Sequence, residues 1–359
     1  MPVFPELLSD GPVSDTSAMR LAIAAAQRVR GTTRPNPAVG CVLLDGAGVP
    51  IAVAGTDPAG GLHAEAQAVR AAGGRADGGT AVVTLEPCNH QGRTPPCTGA
   101  LLSSGVRRVV YALADPNPLA AGGADELRQH GIAVTGGVLA DIVADEVLRA
   151  WLHTNRTGRP HITLKTATTI DGLAAATDGT SQWITGQAAR DHVHVDRARR
   201  DAIVVGTGTV LADNPRLTAR DRGGVAVPHQ PARIVVGRSE VATDALIRGG
   251  ADEDFRVVGA GGMCQLFTRD IGEVVGKLGE LGFVDVLVEG GPRLAGAFVA
   301  AGCVDAIEAY IAPAVLGAGS AAVQVGAQTT IGDLRRFRTT SVTQLGNDVL
   351  LRAVRHAAS

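Results

Sequence analysis

The sequence predicts an α/β protein of two domains, and two observations carry that expectation. Runs of helical period alternate with short apolar strands along the chain, a pattern that lays helices on the faces of a sheet. A chain of 359 residues is also too long for one ordinary core, and the pattern breaks at Arg156-Thr157-Gly158-Arg159-Pro160. Gly and Pro so close together end a helix and open a linker. The expected domains are therefore residues 1–157 and 158–359.

In the first domain, Met19 to Arg30 reads as a helix, followed by strands at Val39–Leu44 and Ile51–Ala54 with an Asp45-Gly46 turn between them. His63 to Ala72 is rich in Ala and stops at Gly73-Gly74, so it reads as a second helix. Thr80–Thr84 and Val106–Ala112 add strands, each introduced by a helix. Ile142, Val143, Val147, Leu148, Trp151 and Leu152 recur at helical spacing and predict one closing helix. The second domain shows apolar strands at His161–Ala167, Ala202–Val205, Ile234–Val236, Phe255–Val258, Val284–Val288 and Asp305–Ile311. Thr340–Arg355, interrupted by Gly346-Asn347-Asp348, reads as an antiparallel hairpin. Glu289-Gly290-Gly291-Pro292 precedes a helix from Arg293 to Ala301. Paired glycines and a Pro at a helix start let backbone N–H groups face a phosphate, although a plain tight connection would look the same.

One constellation carries the chemistry. His63-Ala64-Glu65 is followed by Pro87-Cys88 and, after eight intervening residues, by Cys97. One imidazole and two thiolates leave a fourth tetrahedral corner of Zn2+ for water, which marks a catalytic rather than a closed site. Zinc nucleobase deaminases carry H-x-E…P-C-x-x-C, with these residue types in this order, whereas here eight residues rather than two separate the cysteines. His63, Cys88 and Cys97 are the expected ligands, and Glu65 is the expected proton shuttle from water to ring nitrogen and departing amine. The stretch Thr98–Leu102 reads as a first helical turn, and a helix N-terminus favours thiolates. The alternative is a structural zinc closed by a fourth ligand such as His90.

Composition narrows the partners. Only 3% of residues are aromatic and the net charge is −2, which argues against a nucleic-acid substrate. No apolar run approaches the length of a membrane span, and the opening MPVFPELLSDGPVSD has no basic, then apolar, leader pattern. Five widely spaced cysteines, Cys41, Cys88, Cys97, Cys264 and Cys303, read as reduced thiols in a cytoplasmic protein. The expected assembly is a homo-oligomer.

PCNHQGRTPPC at 87–97, with Pro35-Asn36-Pro37-Ala38-Val39-Gly40 and Asp115-Pro116-Asn117-Pro118, resembles the bifunctional riboflavin biosynthesis family RibD, also called RibG. The matches continue at 165–172 (KTATTIDG), 181–185 (SQWIT), 211–218 (LADNPRLT) and 289–292 (EGGP), so the resemblance spans nearly the whole chain. It implies a cytidine-deaminase-like α/β/α domain followed by a dihydrofolate-reductase-like domain that uses NADPH. The implied reactions are deamination of 2,5-diamino-6-ribosylamino-4(3H)-pyrimidinone 5′-phosphate and then hydride transfer to C1′ of its ribose.

The resemblance also implies site residues. For the deaminase substrate, a small phosphorylated pyrimidine, they are Asn36, His90, Arg93, Asp115 and Asn117. For the reductase substrate they are Lys165, Ser181, Arg197, Leu217, Arg220 and Glu289. Ala167, Trp183, Thr209, Asp213 and the turn Gly291, Pro292, Arg293, Leu294, Ala295, Gly296 and Ala297 would face NADPH. Plainer roles are open at several positions: turn formation for Asp115 and Asn117, core packing for Trp183, and a solvated helix face for Arg197. The chain departs from the family pattern at Leu173, where a basic residue is usual, and in the short Ala120-Ala121-Gly122-Gly123 loop. It departs again at Gly237-Arg238, where Asp-Ser is common: either Arg238 grips the NADPH 2′-phosphate or the change alters cofactor affinity. A deaminase with a degenerate reductase half and a zinc-stabilised nucleotide-binding scaffold are the alternatives; a scaffold would have no need of Glu65.

Overall fold

The computed structural model describes residues 3–90, 95–249, 263–326 and 330–355. The expected strand Phe255–Val258 and the expected substrate residue Arg93 lie outside the described residues. The chain divides into two compact units, Met1–Gly158 and Arg159–Ser359.

The first unit contains α1 (Asp15–Val29), β1 (Gly40–Leu44), β2 (Pro50–Gly55), α2 (Ala64–Ala72), β3 (Thr80–Leu85), α3 (Cys97–Ser103), β4 (Arg108–Leu113), α4 (Gly123–Gln129), β5 (Ala133–Thr135), α5 (Ala140–Ile142) and α6 (Arg149–Thr157). Its sheet has the order β2-β1-β3-β4-β5. β1 runs antiparallel to β2 and β3, whereas β3, β4 and β5 are parallel. Every residue of β1 is buried, as expected for a strand covered on both faces, and the unit is a three-layer α/β/α domain. Gly40 permits the closest approach of helix and sheet: a Cβ there would stand 1.9 Å from the Ala22 carbonyl oxygen of α1.

Two elements differ from expectation. α1 begins four residues before Met19, because the Ser14 side chain accepts the Ser17 N–H and caps it. The closing segment is not one helix. A π turn at Val143–Val147 separates α5 from α6, and the added residue lets Val143, Val147 and Leu148 all enter the core. α6 stops at Gly158, whose φ of 73° is the left-handed conformation that glycine adopts without strain.

The second unit contains β6 (His161–Thr169), β7 (Leu173–Ala175), α7 (Gln187–Arg197), β8 (Ala202–Gly206), α8 (Thr207–Asp213), β9 (Ala232–Val236), β10 (Met263–Leu266), α9 (Ile271–Glu280), β11 (Asp285–Val288), α10 (Pro292–Ala300), β12 (Ala306–Ala312), β13 (Ser320–Ala321), β14 (Phe337–Leu345) and β15 (Asp348–Arg355). Among the described residues, eight strands form one sheet in the order β10-β9-β8-β11-β6-β12-β15-β14. Those from β10 through β12 are parallel, and β15 and β14 add an antiparallel edge. β14 and β15 form the expected hairpin, which begins at Phe337, three residues before Thr340. Candidate residues sit at the carboxyl ends of the parallel strands, where an open α/β sheet forms its crevice: Glu289 follows β11, and α8 follows β8 directly.

A buried cation anchors α7. Arg200, just past its end, reaches Asp196 at 3.0 Å, Asp285 at 2.8 Å, Glu308 at 3.0 Å and the Thr163 hydroxyl at 3.0 Å. These partners lie on α7, β11, β12 and β6, so one side chain ties the helix to three strands.

Candidate active sites

In the first unit, three elements converge on one point. His63 is the N-cap of α2, Cys88 follows β3, and Cys97 opens α3. The delivery of His63 is fixed by the loop before it: the Asp57 carboxylate accepts the Leu62 N–H at 3.1 Å and also the Gln67 side-chain amide of α2. His63 Nδ1 lies 3.6 Å from Cys88 Sγ and 3.3 Å from Cys97 Sγ. The ligand atoms of all three residues are within 4.8 Å of one another, and among the described residues this is the cluster able to hold a metal.

The two thiols of this cluster differ in how readily they lose a proton. Cys88 is held down to about 4, first by the hydrogen bond from the Cys97 thiol and then by His63, against the effect of burial. The same pairing, with burial, pushes the Cys97 thiol up. Glu65, in the first turn of α2, is only 4% exposed. Burial first, and the Cys88 thiolate second, push its carboxyl up to about 7.

The loop after β4 lies beside this cluster. Asp115 Oδ1 accepts the Asn117 N–H at 2.9 Å and Asn117 Oδ1 accepts the Leu119 N–H at 3.1 Å, so both residues do form the turn their sequence allows. Asn89 donates its N–H to the Ala120 carbonyl, and Ala120 packs on Cys88 and Cys97. Burial raises the Asp115 carboxyl. Asn36 follows the Thr33 turn ahead of β1, and among the described residues the buried His90 Nδ1 meets no hydrogen-bond partner.

In the second unit, Glu289 is gripped by Arg197, with Nε to Oε1 at 2.7 Å and Nη2 to Oε2 at 2.9 Å, while Lys165 Nζ stands 3.6 Å away. Arg197 is therefore held in an ion pair, its side chain only 13% exposed, and is not a solvated helix face. It also donates to the Thr218 carbonyl at 3.2 Å. Arg220 bonds the Thr218 hydroxyl at 2.9 Å, which brings the expected residues Arg197, Arg220, Lys165 and Glu289 into one neighbourhood. Leu217, adjacent to Thr218, is buried with a φ of 53°, a strained value for Leu that tends to mark functional loops. Ala167 packs beside Tyr310, whose ring lies under the Lys165 ammonium at 5.8 Å.

Of the expected cofactor-side residues, Thr209 and the turn from Gly291 to Ala297 meet at two helix starts. Thr209, in α8, accepts the Gly291 N–H at 3.0 Å, which joins the start of α8 to the start of α10. Neither helix has a side-chain cap, so first-turn N–H groups of both remain for an anion. Pro292 occupies the first turn of α10, followed by Arg293 and Leu294, then Ala295, Gly296 and Ala297. A Cβ on Gly296 would strike the Gln324 carbonyl at 1.8 Å. Asp213 closes α8, and Gly237-Arg238 follows β9, with Arg238 exposed. Trp183 is 71% exposed and stacks under Arg190 at 4.8 Å, so core packing does not explain it. Ser181 precedes it in the same half-exposed loop.

Residues 12–113 match the cytidine and deoxycytidylate deaminase zinc-binding region, and residues 160–351 match the RibD C-terminal domain. The riboflavin biosynthesis protein RibD of Mycobacterium tuberculosis is 48% identical over 337 residues, covering 94% of this chain and 96% of that protein. The chain belongs to the RibD family. RibD of Acinetobacter baumannii has a similar structure, with a TM-score of 0.80 at 36% identity over 95% of this chain and 98% of that one. A diaminohydroxyphosphoribosylaminopyrimidine deaminase/5-amino-6-(5-phosphoribosylamino)uracil reductase from Thermotoga maritima gives a TM-score of 0.84 at 30% identity, covering 95% and 98%.

As a RibD protein, the chain is a bifunctional riboflavin biosynthesis enzyme, a zinc deaminase and an NADPH-dependent reductase with a dihydrofolate-reductase-like second fold. Its residues fit both groups. One imidazole nitrogen and two sulfurs within 4.8 Å are the donor set of a catalytic zinc, and two uncapped helix starts joined through Thr209 suit a diphosphate. Sequence reading did not single out Glu86, His192 or Tyr310. His192 Nδ1 meets the Tyr310 hydroxyl at 2.8 Å and Arg352 reaches His192 Nε2 at 3.0 Å. These contacts join residues 118 and 160 positions apart, and no local motif announces them.

Proposed function

We propose that His63, Cys88 and Cys97 hold the zinc and that Glu65 is the proton carrier of the deaminase, with residues 1–157 as its domain. The observation that supports this best is the meeting of three ligand atoms beside a buried carboxylate. Zinc, when bound, supplies the Lewis acidity that makes water nucleophilic near neutral pH. Glu65 takes a proton from the attacking water, passes it to the ring nitrogen and later delivers one to the departing 2-amino group. Asn36, His90, Asp115 and Asn117 bind ribose hydroxyls and ring edges, and Arg93 pairs with the phosphate.

For residues 158–359 we propose a reductase in which Lys165, Ser181, Leu217, Arg220 and Glu289 hold the deaminated substrate. Arg197 acts mainly by fixing Glu289, since its guanidinium is already engaged by that carboxylate and by the Thr218 carbonyl. Glu289, so oriented, accepts a ribose hydroxyl, and Lys165 places its ammonium beside the opening ribose. NADPH, when bound, supplies the hydride to C1′. Ala167, Trp183, Thr209, Asp213, Arg238 and the turn from Gly291 to Ala297 line its side of the crevice.

The working form we propose is a cytoplasmic homo-oligomer. Unpaired Cys41, Cys88, Cys97, Cys264 and Cys303 suit a reducing compartment, and no described helix is long and apolar enough to cross a membrane. Separate expression of residues 1–157 and 158–359 tests the division. The first fragment should deaminate without NADPH and the second should reduce the deaminated intermediate without zinc. A folded, zinc-loaded first fragment without deamination contradicts it.

A further inference from the structure

Glu86 is a buried carboxylate one residue before Pro87-Cys88, and neither proposed reaction uses it. Its two oxygens accept backbone N–H groups from two points of one loop. Oε2 takes the Asp115 N–H at 3.2 Å and Oε1 takes the Ala124 N–H at 2.9 Å. The same loop is held twice more by the backbone next to Glu86. Asn89 donates to the Ala120 carbonyl at 3.1 Å, and α4 begins so near Pro87 that a Cβ on Gly123 would stand 1.8 Å from the Pro87 carbonyl oxygen. The segment from 115 to 124 is thus laid directly on the strand end that supplies Cys88.

A buried carboxylate is costly unless hydrogen-bonded, and charge-assisted bonds to backbone N–H groups are stronger than neutral ones. A side chain at position 86 without two acceptor oxygens leaves at least one of these amides without its acceptor. We propose that Glu86 is a positioning residue of the deaminase, fixing the loop that carries Asp115 and Asn117 over the metal-ligand cluster and so setting substrate affinity. This rests on the reading that Asp115 and Asn117 bind substrate. A role confined to folding would not separate KM from kcat in a folded, zinc-loaded enzyme; a positioning role does.

The test uses the full-length zinc-loaded protein with four variants: Glu86→Gln, Glu86→Asp, Asn117→Ala and Glu86→Gln combined with Asn117→Ala. Glu86→Gln keeps one acceptor and turns an NH2 toward the other amide. It should raise the deamination KM about tenfold with kcat changed by less than about threefold. Zinc content and NADPH oxidation with the deaminated intermediate should not change, and hydrogen exchange at Asp115 or Ala124 should quicken. Glu86→Asp, which withdraws the charge by one methylene, should show the same KM signature even if Glu86→Gln fails to fold. The double variant should be scarcely worse than Asn117→Ala alone, because both changes act on one loop. A wild-type KM in the Glu86 variants while Asn117→Ala raises it overturns the proposal. Zinc loss, or a fall in kcat at unchanged KM, overturns it too, since Glu86 would then act through Cys88. A wild-type KM in Asn117→Ala removes its foundation; faster exchange in the Glu86 variants would then mark a tether without a substrate role.

Discussion

Arg197 and Glu289 form a two-pronged, largely shielded ion pair, with contacts of 2.7 and 2.9 Å, and Lys165 adds a second cation at 3.6 Å. Burial alone would raise the Glu289 carboxyl, but Arg197 and then Lys165 outweigh it and hold the group down to about 2. A carboxyl lowered in this way contributes stability above its unfolded value of about 4.3, and that contribution is lost as pH falls toward the folded one. The stability difference between the protein and Glu289→Gln should therefore be flat from pH 7 to about 5 and shrink only below about 4.5. Denaturation midpoints across this range check it; a difference that already closes near pH 6 speaks against the pairing.

Arg200 predicts a larger effect on stability than on chemistry. Replacing it with Met would leave Asp196, Asp285 and Glu308 buried without their shared cation, at a cost of about 3–5 kcal/mol. Urea unfolding of the second unit's transition measures this, and a loss below about 1 kcal/mol would place the three carboxylates in contact with water.

The sequence showed the metal cluster because its chemistry needs rare residue types at fixed places. His63, Glu65, Cys88 and Cys97 can be read one by one, and the helix-start position of Cys97 follows from Thr98–Leu102. Strands were legible where both faces are buried, as in β1 and β8, since such strands read as continuous apolar runs. α7 was not outlined as an element: among its eleven residues only Ala189 and Asp196 are buried, so it presents almost no apolar stripe. The π turn at Val143–Val147 also escaped, because one inserted residue barely disturbs an apolar pattern that both helix readings satisfy. The Arg200 cluster and the Glu86 tether are invisible to spacing, their partners being distant side chains in one case and backbone amides in the other.

Lys165→Ala and Asp213→Ala should each slow the reductase. Losing a charge-assisted contact costs about 1.5–3 kcal/mol, or roughly ten- to a hundredfold. Lys165→Ala should act on the deaminated substrate and Asp213→Ala on NADPH, with zinc content and deamination unaltered in both. Steady-state NADPH oxidation, a separate deamination assay and a zinc determination on the same preparations check these outcomes. Wild-type reduction by both variants would favour a degenerate second site.

Metal removal should act on one activity only. Chelation, or Cys88→Ser, should remove about one zinc per chain and with it deamination. NADPH oxidation with the deaminated intermediate should persist. Parallel loss of both activities would mean that the reductase depends on the zinc-bound state.

The role of Glu65 bears most directly on the whole account, because the metal cluster would exist in a structural zinc protein without it. Zinc content and deamination rate of full-length Glu65→Gln, measured on one preparation, decide the point. The expected result is about one zinc per chain, a fall in deamination of about a hundred- to ten-thousandfold and unchanged NADPH oxidation. Near-normal deamination by this variant, or loss of its zinc, would contradict the assignment of Glu65 as the proton carrier of a catalytic zinc site.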